Sequence, residues 1–295
     1  MFKNLSPNAI GIRGLALPDV IELAAQTGYA GIDFNIREAA ALAGQHGIGY
    51  VRDLFAAANI RPGQWGLPVA WNNDQQWEQD LAELPKLAEV GVALDCRRTA
   101  TWCPSWSDVR PYAENYMWHV ERFRPIAQTL KEQGCRLGIE FLGPKTLRAG
   151  HPYPFISTLP EMMQLATDIG TGNVGLLLDA WHLYTSGGSL DDLNQITAED
   201  IITVHINDAP AGIARDELVD TVRCLPMETG VIDLPGFMRK LQELGYQGPV
   251  TTEPFNQRIN AIAAENPAEA ARLVSVAMDK LWQAAGLTTT TVPRA

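Results

Sequence analysis

Cysteine is sparse in this chain, four in 295 residues, and Cys96, Cys103, Cys135 and Cys224 stand far apart with no CxxC pair. That leaves no disulfide framework and no thiolate zinc motif, and it suits buried, reduced thiols in a cytoplasmic protein. Positive charge is scarce too. Lys and Arg number 23 against 34 Asp and Glu, a formal charge of −11, and no dense basic run is present. Neither a nucleic acid nor an anionic membrane surface is an expected partner. No apolar stretch reaches the roughly 18 residues of a membrane span. The opening MFKNLSPNAIGI lacks the apolar core of a secretory leader, so the expected compartment is the cytoplasm. A GxGxxG phosphate loop is missing from GIRGLALPD, which disfavours an open doubly wound sheet.

What the sequence does hold is 46% hydrophobic residues, enough for one well-buried domain, and a recurring phrase. An amphipathic helix end, a glycine and an apolar strand closing on a polar residue appear in LAAQTGYAGIDF, LAEVGVALDC, LKEQGCRLGIE, LATDIGTGNVGLLLD and LQELGYQGPVTTE. Glycine suits the left-handed turn that ends a helix, and helix followed by strand, repeated, is the grammar of a parallel sheet. Strands are expected near 8–13, 31–36, 61–69, 92–99, 135–142, 174–181, 201–207 and 249–254. Helices are expected over 18–27, 74–90, 112–133, 159–169 and 234–244. Eight such units make a single (β/α)8 TIM barrel, an α/β fold, over 1–285, with a polar tail over 286–295. The apolar helix 270–282 reads as core, and a homo-oligomer is left open.

In a parallel barrel the C-terminal strand ends form the active-site mouth. The fifth strand delivers Glu140 in GIEFLG, the sixth Asp179 in LLLDAWHLY, the seventh His205 in VHINDA and the eighth Glu253 in TTEPFN. Singly, each carboxylate reads as a helix cap or an ion-pair partner, and the histidine as a core residue. Together on four successive strands they read as a metal site. Three converging carboxylates would be driven to protonate unless a cation sat among them. Three oxygens and one imidazole suit one divalent cation, Mn²⁺ first, then Mg²⁺ or Co²⁺, with Zn²⁺ compatible.

These same segments, with GYAGIDF at the second strand, resemble the xylose-isomerase-like TIM barrels, which include sugar isomerases and epimerases and AP-endonuclease-type barrels. The resemblance spans nearly the whole chain. It implies that Glu140, Asp179, His205 and Glu253 bind the metal, that His182 contacts substrate oxygens, and that Asp208 is an acid supporting the site from behind. It also implies that Arg215, in the loop after the seventh strand, orients the substrate. Trp65 and Trp102 follow the third and fourth strands and are candidate pocket walls, Trp65 first, since indole faces stack on the C–H side of sugars. His151, in GHPYPF, is a loop histidine that could serve a lid.

The expected reaction is isomerisation or epimerisation of a small carbohydrate. The metal polarises a carbonyl, and Glu140 and Glu253 remove and return the neighbouring proton through an ene-diolate. An equal first step serves a dehydratase or lyase on a keto sugar, keto-inositol or oxidised glycoside. An AP-endonuclease would need more histidines than the five present, and a non-catalytic barrel would not need the four strand-end ligands. The absence of a phosphate loop leans the substrate towards a neutral one.

Overall fold

The structure, a computed structural model, describes residues 1–288. Eight parallel strands close one barrel: β1 (Phe2–Leu5), β2 (Gly31–Phe34), β3 (Arg61–Gly66), β4 (Arg98–Cys103), β5 (Arg136–Phe141), β6 (Val174–Asp179), β7 (Ile201–Ile206) and β8 (Pro249–Thr252). Each pairs with the next, and β8 returns to β1. Helices fill the connections, among them Leu17–Gln26, Trp77–Ala93, Tyr112–Glu132, Leu159–Ile169 and Leu234–Leu244. Proline occupies the first turn of Leu17–Gln26, Leu159–Ile169 and Leu234–Leu244, where no amide is needed. The fold is thus the (β/α)8 barrel expected. Of the tail expected over 286–295, residues 289–295 lie outside the described residues.

Two strands lie elsewhere than the sequence suggests. The first is Phe2–Leu5, and Asn8–Ile10 is a 3-10 turn. Two polar residues hide this strand. Lys3 donates to Ser275 Oγ (3.0 Å) and Asp279 Oδ1 (2.5 Å) on the final helix, Pro267–Ala284, while Asn4 donates to Asp33 Oδ1 (2.5 Å) and Thr251 Oγ1 (3.0 Å). The fourth strand starts at Arg98 rather than 92, because the preceding helix runs on to Ala93. Within the apolar run 90–94, Gly91 and Leu94 are buried, Val90 and Val92 half-buried, and Ala93 exposed at the helix end.

Side chains alternate between barrel interior and helix layer. In β5, Leu137, Ile139 and Phe141 are fully buried in the hydrophobic core, so Glu140 falls on the opposite, inward face. In β3 the alternation is broken. Ile32 pairs with Pro62 but Asp33 with Gln64, leaving Gly63 as an extra, bulged residue. A β-carbon there would collide with the Asn4 side chain. The extra residue turns Gln64 inward and Trp65 outward. The helix 270–282 expected as core is core: Val274, Met278, Leu281 and Trp282 are buried. No helix among the described residues is long and apolar enough to cross a membrane.

Candidate metal centre

Register brings the four strand-end residues together. Asp179 pairs with His205, and His205 pairs with Thr251, two residues before Glu253. Glu253 is fixed by Asn207, whose side-chain oxygen accepts its backbone N–H at 2.9 Å. One ligand atom each from Glu140, Asp179, His205 and Glu253 lies within 4.8 Å of the others. His205 Nδ1 is 3.7 Å from Glu140 Oε1 and 3.5 Å from Glu253 Oε2.

Asp179 also serves as a helix cap. One oxygen accepts the Trp181 amide (2.8 Å) at the start of the short helix Ala180–Thr185, leaving Oδ2 for the cluster. Because the chain turns helical here, a spacing of three carries His182 back over Asp179, with Nε2 3.9 Å from Oδ2. The His182 ring is held from behind: Nδ1 accepts the Gly143 amide at 3.1 Å, so the proton sits on Nε2. Only glycine fits at 143, where a β-carbon would strike the His182 carbonyl. Nε2–H then lies 3.9 Å from Glu140 Oε1 and 3.8 Å from Asp220 Oδ1.

The centre holds one residue that sequence reasoning missed. Arg223, 2% exposed, donates through Nη1 to Asp179 Oδ2 (2.9 Å) and Glu253 Oε2 (3.4 Å), and through Nη2 to Asp220 Oδ1 (2.9 Å). Its guanidinium lies between Trp181 and Phe255, 5.2 and 4.7 Å from their ring centroids. Arg215, expected to orient the substrate, is exposed in a 3-10 turn, its guanidinium 5.6 Å from the Tyr184 ring. Asp208 stands behind the centre rather than in it. Its buried carboxylate accepts the amides of Ala209, Thr229, Gly230 and Ile232, at 2.7–3.1 Å, and touches none of the four strand-end residues. Its backbone pairs with Cys224 in an antiparallel bridge. Asp208 therefore ties down both ends of the excursion that carries Arg223.

Trp65 does not line the mouth. The Gly63 bulge sends it into the helix layer, fully buried, where its indole N–H donates to the Cys96 carbonyl at 3.1 Å. Trp102, paired with Glu140 across β4 and β5, is 43% exposed instead. His151 is tied to Asp108 (2.7 Å) and stacks on Trp106.

Electrostatics separate the carboxylates. Burial, then the neighbouring Glu253, holds Glu140 well above the usual carboxylate range. Glu253 goes the other way: burial opposes ionisation, but His205 and Arg223 outweigh it and hold the group low. Burial raises Asp179, with Arg223 opposing. Burial disfavours charge on His205, yet Glu253, Glu140 and Asp179 push it up to about 10. His182 is driven well down by burial, then by Arg223 and His205, so it stays neutral. Glu140 Oε1 and both ring nitrogens of His205 have no hydrogen-bond partner despite full burial. Unpartnered buried donors and acceptors are rare and expensive. Three carboxylates and an imidazole with such atoms turned to one point fit a divalent cation. A cavity of about 520 Å³ opens beside His205 and Glu253 and runs over the ends of β1–β3, past Asp33, Asn35, Gln64 and Phe34. Burial lifts Asp33 to about 6.

Comparison with known proteins agrees with this architecture. Inosose isomerase of Halalkalibacterium halodurans is 23% identical over 236 residues, 78% of this chain and 79% of that one. The 3-dehydroshikimate dehydratase of Pseudomonas aeruginosa is 30% identical over 144 residues, 48% of this chain and 21% of that one. A xylose isomerase domain protein from Alicyclobacillus acidocaldarius superposes with a TM-score of 0.83 at 30% identity, covering 96% of this chain and 99% of that one. An IOLI protein with a bound zinc atom superposes at 0.75 and 21% identity, covering 96% and 99%. Residues 19–277 match the family profile described as the xylose isomerase-like TIM barrel. With the closed parallel barrel, that match places the chain in the xylose isomerase-like TIM barrel family.

Proposed function

We propose that the protein is a divalent-metal-dependent isomerase or epimerase of a sugar-like substrate, working by proton transfer next to a carbonyl. The observation that carries this reading is the pair Glu140 and Glu253, both against His205 yet shifted in opposite directions, Glu140 up and Glu253 down. Two titratable groups pushed apart by their surroundings are the signature of an acid and a base in one site. Glu253, ionised, takes the α-proton. Glu140, the more basic of the two carboxylates, relays a proton back to the substrate. His182 Nε2–H and the Arg223 guanidinium supply fixed donors for the oxygen on which charge develops. Glu140, Asp179, His205 and Glu253 would hold the cation, with Mn²⁺ first by donor type. A cation bound there would polarise the carbonyl and stabilise its developing negative charge.

Relatives named inosose isomerase, and epimerases of D-psicose among the structural neighbours, support this reading. A second reading is dehydration: the proton taken by the carboxylate pair can instead be handed to a departing hydroxyl, and a 3-dehydroshikimate dehydratase is among the relatives. The test incubates the Mn²⁺-loaded protein in D₂O with an inosose, D-psicose and 3-dehydroshikimate. Deuterium incorporation with rearrangement supports the isomerase; loss of water supports the dehydratase. Glu253→Gln and Glu140→Gln should each abolish turnover, and near-wild-type rates in either variant overturn its role.

A further inference from the structure

At the end of the barrel where β3 and β4 finish lies a smaller cavity of about 190 Å³. Its walls come from the segment after β3 (Trp71), the segment after β4 (Trp106, Arg110) and the first turns of the helix Tyr112–Glu132 (Asn115, Trp118, His119). Arg110 lies over Trp118, 4.3 Å from the ring centroid. Two polar side chains here are buried without partners. His119, 1% exposed, and Asn115, 2% exposed, leave Nε2 and Nδ2 respectively unbonded. The His119 tautomer follows from its other nitrogen, which donates to the Asn115 carbonyl at 2.7 Å and so leaves a lone pair on Nε2. Burial holds the ring neutral, at about 4.

A lone-pair acceptor and an amide donor one helical turn apart, in an aromatic box, are complementary to a hydroxyl group, which donates to one and accepts from the other. Indole walls complement the C–H faces between such hydroxyls. The volume is that of about six waters, more than a single bridging water would occupy. The cavity is also close to the chemistry. The Trp71 ring, hydrogen-bonded to Thr101 (3.1 Å), meets the Trp102 ring at 6.3 Å, and Trp102 is the register partner of Glu140.

We propose that this pocket is a second subsite for a hydroxylated ring, so that an extended, two-ring molecule such as a glycoside fills both it and the strand-end centre, whereas a single sugar or cyclitol fills only one of the two. The inference deepens the sugar-like substrate reading above and rests on it. The experiment titrates protein labelled with ¹⁵N-histidine with glucose and with cellobiose, following the His119 Nε2 resonance. Cellobiose should saturate that shift with at least tenfold higher affinity than glucose. Asn115→Leu, checked by circular dichroism, should abolish it, and Trp106→Ala should weaken it if the first variant does not fold. Glu253→Gln, which disables the metal centre, should leave the shift in place. A His119 resonance that moves with neither sugar overturns the subsite while leaving the D₂O result untouched. Equal affinity for both sugars overturns the two-ring assignment.

Discussion

Metal loading should be steeply dependent on pH, because the cation must displace protons. Without a cation, His205 is held up to about 10 by its carboxylate neighbours and so carries a proton at neutral pH, and burial raises Glu140 as well. A ligand must shed its proton to coordinate. Each pH unit below a group's pKa adds about 1.4 kcal/mol to that step. From pH 10 down to pH 7, His205 alone costs roughly 4 kcal/mol, about a thousandfold in apparent affinity. Mn²⁺ affinity, measured by chelator competition, should therefore rise about tenfold or more per pH unit between pH 6 and 9. Calorimetry in two buffers of different ionisation enthalpy should count at least one proton released per ion. His205→Gln should lower the slope by about one. An affinity that is flat with pH, or binding without proton release, would refute the charge assignment. The sign carries over to folding: a histidine raised in the folded state stabilises below its ordinary value near 6.5 and loses that contribution as pH climbs to about 10. Metal-free protein should thus lose thermal stability from pH 6.5 upward, and added cation should restore it.

Arg223→Gln should cut kcat/KM by about a hundredfold or more, the usual effect of losing one fixed donor to a developing oxyanion, while Arg215→Ala stays within a few-fold; the reverse order would return the role to Arg215. Asp208→Ala removes four amide contacts to a buried carboxylate and should lower stability by about 3 kcal/mol or more in urea titrations, with KM rising as Arg223 loosens. Trp65→Phe loses one buried hydrogen bond, about 1 kcal/mol of stability; a selective change in KM would put Trp65 back in the pocket.

The barrel was legible because its signals are local and repeated: a helix end, a turn and an apolar strand recur along the chain. The strand-end quartet was legible because parallel strands deliver their final residues to one place. What escaped the sequence depends on contacts between distant segments. β1 looks polar because Lys3 is answered by Ser275 and Asp279 at the far end of the chain. Trp65 was misplaced by a bulge whose only sequence mark is Gly63. Arg223 was passed over for Arg215, the first arginine in a long loop. Its neighbours give no signal, since Val222 is 51% exposed and Cys224 half-buried; only the fold of the excursion turns Arg223 inward.

The staple at Asp208 has a consequence for how this enzyme type can diversify. One carboxylate and one two-residue bridge fix the base of the excursion that presents Arg223, while residues 211–217 at its tip are exposed. Mechanical support for the arginine therefore does not pass through the tip. Insertions, deletions or grafts there can reshape the rim of the mouth without moving the reacting groups, as a tool changes its bit while keeping its chuck.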